Sequence, residues 1–290
     1  MPTFLGLSAI TLWGSLALLG TMTTEIPAFQ LLFLCFSISA GLMLLNRLLQ
    51  KRPALQKPDM TKRQWLIGIA GLFGFHFCYF MALRFAPAIQ VSLIVYLWPL
   101  LLTLLVATPG HRKRAMLGGV LGFIGVSLVI TQNDSGTSAI AAEYISGYAL
   151  AICCALIWST YSWSLSKTAG HSDDIGWLSL AVALLSLAAH LTLETSYWPL
   201  SSKEFIGALL LGLGPVGGAF YLWDSGMKHG NRSLLAISSF AAPLITAVSL
   251  VLAGISEWSL ILLTALILVL TGGLIANPPK IKTAAETPAS

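Results

Sequence analysis

Charged side chains are scarce in this sequence. Aspartate, glutamate, lysine and arginine make up 9% of the 290 residues, whereas 56% are hydrophobic. The mean hydropathy is +0.83. A soluble domain carries about 25% charged residues, so this chain has too few to cover a water-facing surface. The composition therefore excludes an ordinary soluble globular protein and indicates a chain that lies in lipid.

Several chemical signatures are also missing. The four cysteines have no spacing typical of a metal site, and all fall in apolar runs, where free thiols behave as small hydrophobic residues. The sequence contains no Walker loop and no dinucleotide fingerprint, so we expect neither a cofactor nor nucleotide-driven pumping by this chain. Histidines and acidic residues are too scattered for a nucleophile–base pair or a metal cluster at membrane depth. We therefore expect no enzymatic activity.

The hydrophobic residues occur in blocks about 20 residues long, the length that a helix needs to cross about 30 Å of hydrocarbon. Because backbone groups in lipid must satisfy their own hydrogen bonds, each block is predicted to be a helix. The sequence thus predicts an all-α polytopic membrane protein with a disordered cytoplasmic tail at residues 278–290. The ten predicted spans are residues 3–21, 27–49, 64–84, 88–108, 114–132, 144–166, 173–193, 204–227, 232–253 and 257–277.

Basic residues predict the orientation of these spans. With ten spans both termini lie on one side, and 14 of the 16 lysine and arginine residues fall in segments on that side. The two exceptions are Arg84 and Lys203. Since basic loops stay in the cytoplasm, both termini are predicted to be cytoplasmic. The net charge of +5 therefore reflects topology and does not indicate a nucleic-acid partner.

Two stretches of the chain resemble each other at an offset of 144 residues. They are "ALRFAPAIQVSLIVYLWP" (Ala82–Pro99) and "GMKHGNRSLLAISSFAAP" (Gly226–Pro243). Each has a cation, then a break, which is a proline in the first stretch and a short polar segment in the second, and then an apolar run that ends at proline. In addition, "LWGS" near the start of the chain matches "IWST" in the sixth span after a one-residue shift.

Each half of the chain holds five predicted spans. Because five is odd, a second copy must enter the membrane from the opposite face. We therefore predict two inverted five-helix repeats, at residues 1–133 and 144–277. Inverted repeats are typical of secondary transporters, whose substrate binds near the midplane at the interface of the repeats.

Prolines and glycines inside three spans are candidate gate or hinge positions. Pro99 and Pro243 each remove a helix hydrogen bond and permit a kink, although such prolines can also serve packing alone. In "GLGPVGGAFYLWD" the residues Gly214, Pro215 and Gly217 lie in mid-span, where they predict a hinge.

Polar and aromatic side chains within spans are candidates for a substrate cavity, because lipid-facing positions favour aliphatic residues. Aromatic walls suit an apolar or aromatic ligand, and hydroxyl and imidazole groups suit its amino and carboxylate ends. For each residue the alternative is packing or anchoring at the membrane interface; His190 has no partner that the sequence identifies. The candidate substrate-binding residues are His76, Tyr79, Tyr96, Trp98, Trp158, Tyr161, Ser162, Trp163 and Tyr221.

Asp224 is the acidic residue that the prediction places inside a span. A charge at the bilayer centre costs about 2.5–3.5 kcal/mol on insertion scales. Lys228 follows four residues later, the spacing of a helical ion pair. Two interpretations stay open: a paired charge near a helix end, or a gate or proton site.

Together these features resemble the drug/metabolite transporter superfamily and, within it, the EamA-type exporters. The resemblance lies in the ten-span inverted arrangement, the "WGS" motif, the proline-bearing fourth and ninth spans, and the aromatic segments "HFCYFMALRFAPA" (His76–Ala88) and "VYLWP" (Val95–Pro99).

The resemblance implies an exporter of amino acids, mainly aromatic or hydrophobic ones, and related metabolites. It also implies alternating access through a central cavity in a bacterial inner membrane. The expected partners are a small-molecule substrate and the lipid bilayer. One chain suffices for a pathway, although a dimer stays open. The alternative is a proton-coupled exporter of drugs or other small metabolites.

Overall fold

The computed structural model describes residues 1–53, 56–131, 142–168, 173–255 and 257–276. Every regular element in these residues is a helix, so the predicted all-α class is confirmed. The predicted disordered tail, residues 278–290, and the predicted repeat ends at residues 133 and 277 lie outside the described part of the chain.

Fifteen α-helices are present in the described residues. In chain order they are α1 (Pro2–Gly14), α2 (Leu16–Gly20), α3 (Ala28–Leu49), α4 (Lys62–Ile69), α5 (Phe75–Phe85), α6 (Ala88–Val95), α7 (Trp98–Val106), α8 (Arg112–Thr131), α9 (Ile145–Leu165), α10 (Asp173–Leu193), α11 (Ser202–Leu213), α12 (Gly218–His229), α13 (Arg232–Ser238), α14 (Ala241–Leu252) and α15 (Leu260–Ala276). A π-helical turn, Ala70–Gly74, joins α4 to α5.

Six helical segments in the described residues are long and apolar enough to cross a membrane, or seven if α13 and α14 form one bent span. The chain is therefore a multi-pass membrane protein. The predicted count of ten is larger, because three of the predicted spans correspond to shorter or interrupted helices: α1–α2, α6–α7 and α15. The ten-span count stays a prediction.

The two prolines of the predicted gates lie beside helix breaks. Pro99 is the second residue of α7, and α6 ends four residues before it at Val95. Pro243 is the third residue of α14, which is bent by 45° from α13. Proline has no N–H and fits the first turn of a helix, so each helix restarts just before its proline. Both prolines thus lie in the first turn after a helix break, and their role as gates stays a prediction.

The segment between α11 and α12 forms a wide turn. Here the N–H of Val216 donates to the carbonyl of Leu211 at 2.9 Å, and the N–H of Ala219 donates to that of Gly214 at 2.8 Å, each reaching back five residues. A Cβ on Gly217 would lie 1.8 Å from the carbonyl oxygen of Gly212. The wide turn thus requires glycine at this position for reasons of space.

Two pairs of long helices run along each other. In the first pair α3 packs along α10, and in the second α8 packs along α15. At the α8–α15 contact a Cβ on Gly118 would lie 2.3 Å from the carbonyl oxygen of Gly272, so both backbones approach closely, as small residues permit in membranes. Between these pairs, α1 contacts α12 and α5 contacts α9.

Helix α10 separates the two ends of the molecule. Near its start, Asp174 lines the same pocket as Lys228. Just beyond its end, Glu194 lies 3.7 Å from Arg84. A helix of 21 residues spans about 30 Å. Arg84 and Lys228 therefore lie at opposite ends of the helix bundle, which we call the Arg84 end and the Lys228 end.

Candidate transport pathway

A cavity of about 430 Å³ opens at the Arg84 end. Its walls come from α2, α6, α8, α14 and α15, and most of the lining side chains are aliphatic. The polar groups on its wall belong to Trp13, Ser92, Tyr96, Thr246 and Glu257. This volume lies in the range of ligand pockets, about 300–1,000 Å³, so the cavity has room for an amino acid.

Trp13, which lines the cavity, belongs to a cluster of four tryptophans, Trp13, Trp98, Trp158 and Trp223, which we call the tryptophan cluster. They come from four different helices: α1, α7, α9 and α12. Ring centroids of Trp13 and Trp223 are 5.1 Å apart, and those of Trp13 and Trp158 are 5.7 Å apart. Trp98 contacts both Trp158 and Trp223 at 6.2 Å. The four rings thus pack on one another, and Trp13 is the member that lines the cavity.

His76 packs among phenylalanines beside this cluster. Its ring meets Phe36 edge-on at 5.6 Å and Phe220 at 6.1 Å, and those two phenylalanines stack at 5.6 Å. The Nδ1–H of His76 donates to the carbonyl of Leu72, 2.6 Å away within the π-helical turn. The imidazole is therefore held in one orientation against the aromatic layer.

A much smaller pocket, about 40 Å³, lies at the Lys228 end. Its wall includes Tyr161, Asp174, Asp224 and Lys228. The predicted ion pair is confirmed: Lys228 Nζ lies 2.9 Å from Asp224 Oδ2, and these side chains are 6% and 1% exposed. A pocket of this size does not hold an amino acid, so the pathway is narrow at this end.

The nine predicted binding residues thus occupy different positions. Tyr96 lines the cavity, while Trp98 and Trp158 contact the cavity residue Trp13 at 6.4 and 5.7 Å between ring centroids. Tyr79 stacks on Phe75 at 6.3 Å and is hydrogen-bonded to the cavity residue Ser92.

Three of the predicted residues form contacts of a structural kind. The hydroxyl of Tyr221 donates to the carbonyl of Ser39 at 2.7 Å. Ser162 accepts the indole N–H of Trp223 at 3.0 Å. Lys167 Nζ lies 3.6 Å from the ring centroid of Trp163, a cation–π contact near the end of α9. Their role in binding stays a prediction.

Sequence reasoning did not select Trp13, Trp223 or Glu257 as site residues. For the tryptophans a signal existed, because both lie inside predicted spans and away from the membrane interface, where tryptophan anchors usually lie. Glu257 gives no such signal, since it is the first residue of the tenth predicted span and precedes α15 in the structure. Its position at the cavity depends on tertiary structure.

His190 has the partners that the sequence did not identify. Its Nδ1 lies 3.0 Å from Glu194, and its Nε2 lies 2.9 Å from the hydroxyl of Ser196. The same carboxylate accepts the backbone N–H groups of Phe29 and Gln30 at 3.1 and 3.2 Å, at the start of α3. Glu194 therefore caps the start of α3 through Phe29, which lies 165 residues earlier in the chain.

Comparisons with known proteins agree with this architecture. The profile of the EamA-like transporter family matches residues 1–131. The aromatic amino acid exporter YddG of Ancylobacter novellus is 39% identical over 279 residues, which are 95% of this chain and 96% of that protein. The exporter of the same name from Salmonella typhimurium is 26% identical and covers 84% of this chain and 86% of its own length. One crystal structure matches with a TM-score of 0.86 at 36% identity, over 95% of this chain and 97% of that chain.

Proposed function

The chain belongs to the EamA-like transporter family, and on that premise we propose that it exports amino acids, mainly aromatic or hydrophobic ones, across a bacterial inner membrane. As a transporter it moves a small molecule and is not an enzyme. The observation that carries the substrate proposal is the cavity of about 430 Å³ that Trp13 of the tryptophan cluster lines together with Tyr96. The names of the two exporters similar to this chain support the same substrate class.

The substrate's side chain and its polar end fit different parts of this cavity. Trp13 and Tyr96 offer aromatic surface on the cavity wall, where a ring or an aliphatic side chain of the substrate displaces water. Ser92 and Thr246 offer hydroxyls on the wall, and Glu257 offers a carboxylate that suits an ammonium group. In this proposal the remaining predicted residues stabilise the tryptophan cluster and its neighbours, or become accessible to the substrate when the transporter changes conformation. They are His76, Tyr79, Trp98, Trp158, Tyr161, Ser162, Trp163 and Tyr221.

We further propose that ten spans form two inverted repeats, residues 1–133 and 144–277. At the 144-residue offset, the π-helical turn Ala70–Gly74 corresponds to residues 214–218, where the wide turn lies. In the two repeats the first span corresponds to the sixth, and the third corresponds to the eighth. The contact between α1 and α12 therefore corresponds to the contact between α9 and α5, and both are present. Both correspondences support a pseudo-twofold relation, because unrelated halves have no reason to repeat irregular turns and contacts at one offset.

The proposed mechanism is alternating access between these repeats. In the present conformation the cavity opens at the Arg84 end, and the Asp224–Lys228 pair narrows the other end. Bending at the π-helical turn, at the wide turn and at the two proline breaks would rock the third and fourth spans against the eighth and ninth. The gate and hinge positions in this scheme are Pro99, Gly214, Pro215, Gly217, Asp224, Lys228 and Pro243.

Flux from liposomes tests the substrate class. We expect purified protein to release tryptophan and phenylalanine about tenfold faster than alanine, because stacking in the cavity adds about 0.5–1.5 kcal/mol for an aromatic ring. The measurement is efflux from vesicles loaded with single amino acids, with and without a pH gradient, and empty vesicles are the control. Rates that follow the gradient would favour proton-coupled export. Release of a cationic dye without any amino acid would overturn the amino acid proposal.

Labelling of single cysteines tests the topology. In a chain without native cysteines, we expect Phe85→Cys to react with an impermeant maleimide added outside intact cells, and His229→Cys to react only after lysis. Both positions are exposed, and they adjoin Arg84 and Lys228 at opposite ends of the bundle. Labelling of both cysteines from the same side would contradict the inverted arrangement.

A further inference from the structure

The indole N–H of Trp13 donates to the carbonyl oxygen of Pro215 at 3.1 Å. Trp13 lies on α1 and Pro215 in the wide turn between α11 and α12, 202 residues apart. The bond therefore joins the first predicted repeat to the second. It also connects the cavity with the wide turn, because the same indole lines the cavity.

The carbonyl of Pro215 needs this donor because the backbone around it is not helical. In a regular helix the N–H of Ala219 would reach Pro215; here it donates to Gly214 instead, at 2.8 Å. The N–H of Phe220 donates to Gly217 at 3.1 Å. The wide turn thus directs the Pro215 carbonyl to a side chain. An unsatisfied carbonyl away from water is costly, so this bond favours the bent form of the turn.

The counterpart of Trp13 in the second repeat contacts its own turn differently. At the one-residue shift of the motif this counterpart is Trp158. Its ring packs on Phe75 at 5.3 Å, directly after the π-helical turn. The contact is ring on ring, whereas Trp13 adds a directed hydrogen bond. The wide turn in the eighth span is therefore joined to the cavity by the bond from Trp13, whereas the π-helical turn accepts the Nδ1–H of His76, which does not line the cavity.

We infer that Trp13 is a positioning residue for transport, which couples occupancy of the cavity to the bend in the eighth span. Its ring contacts whatever enters the cavity, and its N–H holds the wide turn. A substrate that shifts the indole lengthens the bond to Pro215 and releases the turn. This inference rests on the proposed function, since it assigns a role within the transport cycle.

Removal of the N–H without loss of ring shape tests the coupling. β-(3-Benzothienyl)alanine at position 13 keeps the bicyclic ring but has sulfur in place of the N–H group. We expect turnover in liposomes to fall by about two- to tenfold, the range for one hydrogen bond, while KM for phenylalanine changes less than about twofold. Trp13→Phe, which requires no unnatural amino acid, removes the N–H and part of the ring, so we expect it to lower turnover as well and also to raise KM.

Hydrogen exchange gives a second measurement, independent of transport. We expect amides of residues 214–218 to exchange faster in the position-13 variant than in the unmodified protein, without substrate. The matched control is the same replacement at Trp223, whose N–H donates to Ser162 at 3.0 Å, away from the turn. The control variant is expected to leave exchange at residues 214–218 unchanged.

The outcomes separate the two proposals. Unchanged exchange and turnover in the position-13 variant would overturn the coupling, and so would an equal change in the Trp223 control. If the unmodified protein moves no amino acid, the substrate proposal fails. The exchange comparison without substrate then still decides whether Trp13 holds the turn.

Discussion

The Gly217→Ala variant is expected to lose at least about nine-tenths of its transport rate. The added Cβ would lie 1.8 Å from the carbonyl oxygen of Gly212, a backbone atom that cannot rotate away. It would also lie 3.0 Å from Cβ of Ser39 on α3. Overpacking of this kind costs about 1–3 kcal/mol or more, and relief requires the wide turn to change its path. Flux of phenylalanine from liposomes and thermal stability in detergent measure the two consequences.

Glycines with free space around them supply the controls. At Gly41 in α3 and Gly273 in α15 a Cβ would meet no atom within 4 Å, so alanine there should preserve transport and slightly favour the helix. Gly214→Ala should fall between these variants and Gly217→Ala, because its Cβ would lie 2.8 Å from the carbonyl of Leu210. A Gly217→Ala protein that is monodisperse and transports at the normal rate would refute the hinge.

The parts of the fold that sequence predicted depend on local chemistry. Apolar blocks in a chain with 9% charged residues predict helices because lipid leaves the backbone no other partner. Pro99 and Pro243 predict breaks because proline lacks the N–H that a helix needs. The Asp224–Lys228 pair follows from four-residue spacing on one helix. Each prediction needs only a few neighbouring residues.

The parts that sequence did not predict depend on distant residues. The bond from Trp13 to Pro215 spans 202 residues, and the cap that Glu194 provides for α3 spans 165. Neither pair has a spacing that marks it. Trp98 and Trp158 were expected to line a cavity, yet they pack on Trp13, because the distances between these rings depend on how the helices cross. The sequence predicts that aromatic residues from several spans come together. It does not predict which of their rings stay uncovered by other side chains.

The Asp224→Asn variant is expected to be strongly destabilised. Lys228 is 6% exposed and would lose the carboxylate 2.9 Å from its ammonium group. Removal of one partner from a buried ion pair costs about 3–5 kcal/mol. Thermal unfolding in detergent measures this loss. The double variant Asp224→Leu/Lys228→Met should recover most of the stability, because an apolar pair of similar size carries no such penalty.

Transport by the double variant then distinguishes a role of the pair in opening the Lys228 end from a role in stability alone. If the Lys228 end must open during export, Asp224 and Lys228 become hydrated at that step, which favours opening. Leucine and methionine would instead expose apolar surface, at about 25 cal/mol per Å². An exposed area of about 60 Å² would then slow opening about tenfold. We therefore expect a stable double variant with slow efflux of phenylalanine. Normal efflux from that variant would show that the pair only stabilises the fold, and it would remove Asp224 and Lys228 from the gate.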